Sequence, residues 1–306
     1  MTMSKKERTP KQRPSLEAIS PDGNCKFSRA LGSVDYQTRE KGLQALTLWL
    51  SRKSEVDEKD LLKLWKGIFY CFWHSDKAHV QVRILYACSY TYQDTPVQSH
   101  PINLTIPILK LQSELAERLA DIKAHLPQPI ATAYFEAFIK TMRREWFGID
   151  RIRLDKYLML IRKFVNHSLR QLQASKWKTS QVQAFSTFLQ NNVMLPEDTL
   201  PAAGVSYHIA DIIIPELQNI VENNKNINNS PPSDATLKLL LAPFIKTTQL
   251  TGDPALLARL KSGFFSPLMI IAADPSQLAL QHLNVEELSK VVFELGKIHR
   301  CIDKQK

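Results

Sequence analysis

Cys71 and His74 stand three residues apart in LLKLWKGIFYCFWH, a spacing that places two side chains on one face of a helix. A thiol beside an imidazole is the smallest nucleophile–base pair. The neighbours Phe69, Tyr70, Phe72 and Trp73 argue for another role, because a cysteine among aromatics packs as a small apolar group and its thiolate is disfavoured. Asp150 and Asp155 are the other candidates, as a carboxylate pair for acid–base work. Asp150 is placed to cap a helix, and Asp155 lies among Arg151, Arg153 and Lys156, so ion pairing accounts for it. Neither pair completes a catalytic constellation, and the chain reads as a non-enzyme.

Phosphate-cradling loops are missing as well. The 9 glycines are isolated, with no GxGxxG and no P-loop. There is no HExxH, and the 8 histidines form no metal-ligand cluster with cysteine. No GxSxG elbow or kinase signature set occurs. No cofactor, metal or small-molecule substrate is therefore expected. The 4 cysteines are scattered, the N-terminus is basic rather than apolar, and no uninterrupted apolar run reaches the roughly 18 residues of a membrane span. A reducing nuclear or cytosolic setting without membrane contact follows as an expectation.

Charge carries more information. Forty Lys and Arg against 30 Asp and Glu leave a net charge of +10, which favours polyanions. Lys5, Lys6, Arg8, Lys11 and Arg13 form a basic arm suited to RNA contact or nuclear targeting. On a helix over 150–174, Leu154, Tyr157, Leu158, Ile161, Phe164, Val165 and Leu172 fall on one arc. Arg151, Lys156, Arg162, Lys163 and Arg170 fall on another. Arg143 and Arg144 extend this basic stripe. It is a candidate surface for RNA phosphates or an acidic partner, with an ordinary solvated helix exterior as the plainer reading.

The elements that hold these residues are helices. With 44% hydrophobic residues the chain can bury a continuous core, and so few glycines disfavour the turn-rich β classes. Asp35 can cap a helix through about 52. Asp57 or Asp60 opens the next, with Leu61, Leu64, Trp65, Ile68, Phe69 and Phe72 on one apolar arc. Further helices are predicted over 113–126, 130–146, 150–174, 179–194, 204–222, 234–250 and 285–302, with a loop over 223–234. Trp65 belongs to the core, while Trp73, Trp146 and Trp177 sit near helix ends, under turns or facing partners. The expected fold is all-α: an irregular α-solenoid of HEAT-like stacked helix pairs in a single elongated domain over 31–303, preceded by a flexible arm over 1–30.

Residues 82–112 break this rhythm. Charge nearly vanishes, three prolines interrupt, and neither helical nor strand period holds. Gln81-Val82-Arg83 can be encoded with an intron donor sequence, Gln112 as an acceptor, and Leu104-Thr105 with a branch sequence between them. The segment reads as a retained intron, without which 275 of the 306 residues remain. A surface-loop insertion is the alternative, since long loops cost little closure entropy.

Two segments are distinctive, 61–77 and 144–169. Trp65, Lys66, Gly67, Cys71, Trp73, Asp76 and Lys77 in the first match a motif of the eukaryotic ribosomal RNA-processing protein 1 family. Glu145, Trp146, Gly148, Asp150, Arg151, Arg153, Leu154, Asp155 and Lys156 in the second match another. The chain resembles that family over about residues 30–300 and departs from it at 82–112. It is expected to be without the long charged tail of animal members and is similar to the compact fungal form. The resemblance implies a helical nucleolar factor, acting in the nucleus on early large-subunit precursors in support of internal transcribed spacer processing. It also implies precursor ribosomal RNA, a WD-repeat propeller protein and a Brix-domain protein as partners, and no nuclease activity. A rigid scaffold is expected; a pure protein adaptor with incidental RNA contact is the alternative. Reversing Arg151, Arg162 and Arg170 together is expected to weaken particle association while folding survives.

Overall fold

In a computed structural model of the chain, residues 26–33, 35–74, 113–198, 200, 203–223 and 231–273 are described. They contain no strand, and helices account for most of them. Asp35 does cap the second helix: its carboxylate accepts from the Thr38 main-chain N–H at 2.7 Å. This helix, α2 (Tyr36–Ser51), follows a short α1 (Lys26–Leu31) whose Phe27 and Leu31 are buried. The helical body thus begins earlier than the predicted arm boundary at 30. Next, α3 (Glu58–His74) buries all six residues of its predicted arc.

Residues 113–121 form α4, which tightens into a 3-10 turn at Ile122–His125. Pro129 stands in the first turn of α5 (Gln128–Glu145), where its missing N–H costs nothing. A 3-10 turn at Trp146–Gly148 leads to α6 (Leu154–Ala174). Asp150 does not cap α6. Its carboxylate takes the Arg153 main-chain N–H at 2.9 Å and pairs with the Arg153 guanidinium, which closes a separate turn ahead of the helix.

The later helices are α7 (Thr179–Leu189), ending in a π turn at Gln190–Met194, α8 (Ala203–Asn223) and α9 (Asp234–Leu250). Then α10 (Pro254–Arg259) runs through a π turn at Leu260–Phe265 into α11 (Ser266–Ala273). The stretch Pro254–Ile271 is long and apolar enough to cross a membrane by length and composition. Its Leu256, Leu260, Phe264, Phe265 and Leu268 are instead buried in the protein core. The predicted helix over 285–302, the arm over 1–25, most of the 223–234 loop and the whole of 82–112 lie outside the described residues.

Helices pack in pairs: α1 on α2, α3 on α5, α6 on α8, and α7 on α9, with α8 also receiving the 254–265 stretch. The buried apolar side chains form one cluster from Phe27 to Ile271. This is the all-α, stacked-pair architecture the periodicity calls for.

Candidate RNA and partner interface

The two distinctive segments meet in the middle of the molecule. Trp65 is fully buried, donates its indole N–H to the Tyr134 carbonyl at 3.0 Å, and packs against the Phe164 ring edge-on at 5.2 Å. One helical turn on, Phe69 stacks on Tyr157 at 4.7 Å, and the Tyr157 hydroxyl donates to the Phe69 carbonyl at 3.0 Å. At the end of α3, Lys156 donates to the carbonyls of Phe72 at 2.7 Å and Trp73 at 3.1 Å. A buried ammonium there satisfies carbonyls that a helix C-terminus leaves without partners and meets the negative end of its dipole. Arg153 completes the junction, its guanidinium 4.7 Å from the Trp73 ring centre. The spacing of the motif residues is therefore first a packing code: Lys156 and Tyr157 of α6 bind main-chain carbonyls of the last two turns of α3.

This junction corrects the basic stripe. Lys156 is 6% exposed and belongs to the interior. Arg143 is 4% exposed and grips Asp198 with two hydrogen bonds of 2.7 Å, which hold that carboxyl below its usual range. Arg162 pairs with Glu216, whose other oxygen accepts from Asn166 at 2.6 Å. Lys163 and His167 converge on Glu117 at 2.6 and 2.8 Å. Burial pushes the Glu117 carboxyl up, and the hydrogen bonds from Lys163 and His167 outweigh it, leaving the group below its ordinary value. Arg144 pairs with the adjacent Glu145. Arg151 and Arg170 are exposed and make no ion pair among the described residues. Much of the stripe is a lattice tying α6 to α3, α4 and α8.

Of the other motif residues, Lys66 is exposed, while Gly67, Cys71 and Glu145 are half-buried; Asp155 is exposed. Asp76, Lys77, Lys5, Lys6, Arg8, Lys11 and Arg13 lie outside the described residues. The tryptophans near helix ends pack rather than project. Trp177 is 5% exposed, and the Trp146 indole lies against Gly204, where a Cβ would fall 2.3 Å from its Nε1. A Cβ at Gly148 would meet nothing. Within the second motif segment, the apolar side chains that project are Phe147 and Ile152, 69% and 92% exposed, which the wheel left unmarked.

Among the described residues, no three His, Cys, Asp or Glu side chains group as metal ligands. A cleft of about 160 Å³ between α5, α6 and α7 is bordered by Lys123, Phe135, Glu136 and Gln181. Lys123 is 6% exposed, donates to the Ser168 hydroxyl at 2.7 Å and sits 4.7 Å from the Phe135 ring centre. Burial pushes its ammonium down to about 7.

Comparison with known proteins agrees with the motif reading. The family model described as Nucleolar protein, Nop52, matches residues 22–102 and 109–296; it takes in 82–102 and 109–112, so the departure from the family expected over all of 82–112 is confined to 103–108. The human ribosomal RNA processing protein 1 homolog B is 30% identical over 280 residues, covering 90% of this chain and 31% of that protein. The Drosophila melanogaster ribosomal RNA processing protein 1 homolog is 28% identical over 250 residues, covering 80% and 31%. That of Dictyostelium discoideum is 23% identical over 265 residues, covering 80% and 46%. The chain spans about a third to a half of the length of these relatives. With a family match that takes in every described helix, and with both motif segments at the centre of the core, this chain belongs to the Nop52 family of nucleolar proteins.

Proposed function

We propose that the chain is a non-enzymatic ribosome biogenesis factor, a helical scaffold in nucleolar precursors of the large subunit that supports removal of internal transcribed spacer RNA. The observation that carries this reading is the family match from 22 to 296 together with relatives named for ribosomal RNA processing. The scaffold role draws support from one continuous core and from ion pairs that cross between helices. Precursor ribosomal RNA, a WD-repeat propeller protein and a Brix-domain protein are its proposed partners, in the nucleus and nucleolus. RNA contact rests on the arm Lys5–Arg13 and on Arg170, which contribute charge without base specificity. Conditional depletion tests the proposal. Spacer-containing precursors should accumulate on RNA blots, and the chain expressed in trans should clear them. Unchanged precursor levels after depletion would refute it.

A second reading, a protein adaptor with incidental RNA contact, is favoured by the internal engagement of Arg143, Lys156, Arg162 and Lys163. Ultraviolet crosslinking in purified particles separates the two. The scaffold reading expects RNA adducts on the arm or near Arg170, and the adaptor reading expects none.

A further inference from the structure

The turn between α5 and α6 spends its internal contacts on holding two apolar side chains in water. Trp146 packs against Gly204, Ile149 rests on the core, and Arg153 is fixed over Trp73. The Arg153 main-chain N–H donates to both the carbonyl and the carboxylate of Asp150, at 3.1 and 2.9 Å. Between these anchors Phe147 and Ile152 project, 69% and 92% exposed. Isolated exposed apolar residues are ordinary on any surface. Two on one pinned turn are different, because the ordering cost of an interface is already met there.

Charge indicates what covers them. Over residues 144–155, Arg144, Arg151 and Arg153 are matched by Glu145, Asp150 and Asp155, so the turn carries no net charge. A phosphate backbone would meet three carboxylates here and gain little. Two exposed apolar side chains five residues apart among charges of both signs have the composition of a protein hot spot. Arg144 pairs with Glu145 and Arg153 with Asp150, while Arg151 is exposed and unpaired among the described residues.

We propose that this turn is a docking knob for a protein partner that offers an apolar socket to Phe147 and Ile152 and a carboxylate to Arg151. The inference rests on the assembly-factor reading and names the surface that reading would use. The test places the photocrosslinker benzoylphenylalanine at position 147 of the full chain and purifies precursor particles through a tag on it. One protein should be captured, through a peptide that combines apolar residues with an acid. Replacing Phe147→Ser and Ile152→Ser together should lower recovery of that protein about tenfold or more with the melting temperature unchanged. Arg151→Glu should weaken recovery, and reversing the acid in the captured peptide should restore it. Capture of RNA, absence of any adduct, or undiminished recovery from the double variant overturns the knob while leaving particle association intact. A wild-type chain that never sediments with large-subunit precursors overturns the assembly-factor reading and the knob together.

Discussion

At the scale of single residues, glycine roles divide by what lies opposite them. Gly204 has the Trp146 indole where a Cβ would stand, whereas Gly148 faces open space. Gly204→Ala should therefore cost about 1–3 kcal/mol, the usual penalty of overpacking, while Gly148→Ala stays near neutral. Chemical denaturation of the two variants checks the contrast. Sequence alone marked Gly148, as a residue of the second family motif; nothing in it pointed to Gly204, whose constraint comes from a ring 58 positions away.

Lys123 supplies a prediction with a pH sign. Its folded value is about 7 against 10.5 for a free lysine. Between those values the unfolded chain holds a proton that the folded chain has shed, so this group makes stability rise with pH across that window. Below about 7 both states are protonated, and the full cost of burying the charge is felt. Lys123→Met should flatten the rise and lift the melting temperature most at pH 6, because an apolar side chain of similar length removes the penalty. A melting temperature lowered at pH 6 would contradict this. Ser168 keeps a partner in the variant, since its hydroxyl also donates to the Phe164 carbonyl.

At the scale of elements, α6 decides how far a helical wheel can be read. The apolar arc was legible because burial follows the 3.6 period, and Tyr157, Ile161, Phe164 and Val165 are all buried. The opposite arc, a candidate surface for RNA phosphates or an acidic partner, keeps Arg151, Arg162 and Arg170 exposed but loses Lys156 to the interior. A wheel gives the direction of a side chain and nothing of what a neighbouring helix brings to meet it. Here the answers were Glu216 on α8 and Glu117 on α4, each about fifty residues from its cation. The same blindness hid the fate of Lys156, whose partners are main-chain carbonyls at the end of α3. Helices α10 and α11 escaped the pattern for another reason: a π turn at Leu260–Phe265 shifts the register, so no single period spans the stretch.

These pairings change the charge-reversal experiment. Arg162→Glu would set a new carboxylate against Glu216, which is 6% exposed and keeps Asn166 as a partner, and should destabilise the fold by about 1–3 kcal/mol, since the arginine it replaces is itself half exposed. Particle loss in the triple reversal of Arg151, Arg162 and Arg170 would then report unfolding. Reversing Arg151 and Arg170 alone leaves these internal pairs intact. That double variant should melt like the parent and lose particle association in a salt-dependent way. Retention of normal association would assign both arginines to ordinary solvated surface.

At the scale of the whole molecule, the helical class was legible from glycine scarcity and periodicity, and the stacked pairs follow from helices that each bury one face. The family was legible from two motif segments because they are two halves of one junction, so their residues are constrained together. Residues 82–112 defeat pattern reading, yet the family match runs through all of them except 103–108, which counts against a retained intron spanning the whole segment. As a retained intron it would be absent from mature messenger RNA, and sequenced transcripts should join the codons of Gln81 and Ser113. A chain lacking 82–112 should also fold with the parent's melting temperature, since the described core assembles from residues on either side. Transcripts that keep those codons would end the idea.

The anchoring of Trp146 beside the exposed Phe147 has an optical consequence. Of the five tryptophans, Trp65 and Trp177 are buried, and Trp49, Trp73 and Trp146 are half-buried. Only Trp146 adjoins Phe147 in sequence, half-buried with its indole against Gly204. A partner seated on Phe147 would strip water from that indole. The intrinsic fluorescence of the chain would then move to shorter wavelengths, and Trp146→Phe would silence the change. The turn thus carries its own spectroscopic probe, able to time a docking event without any attached dye.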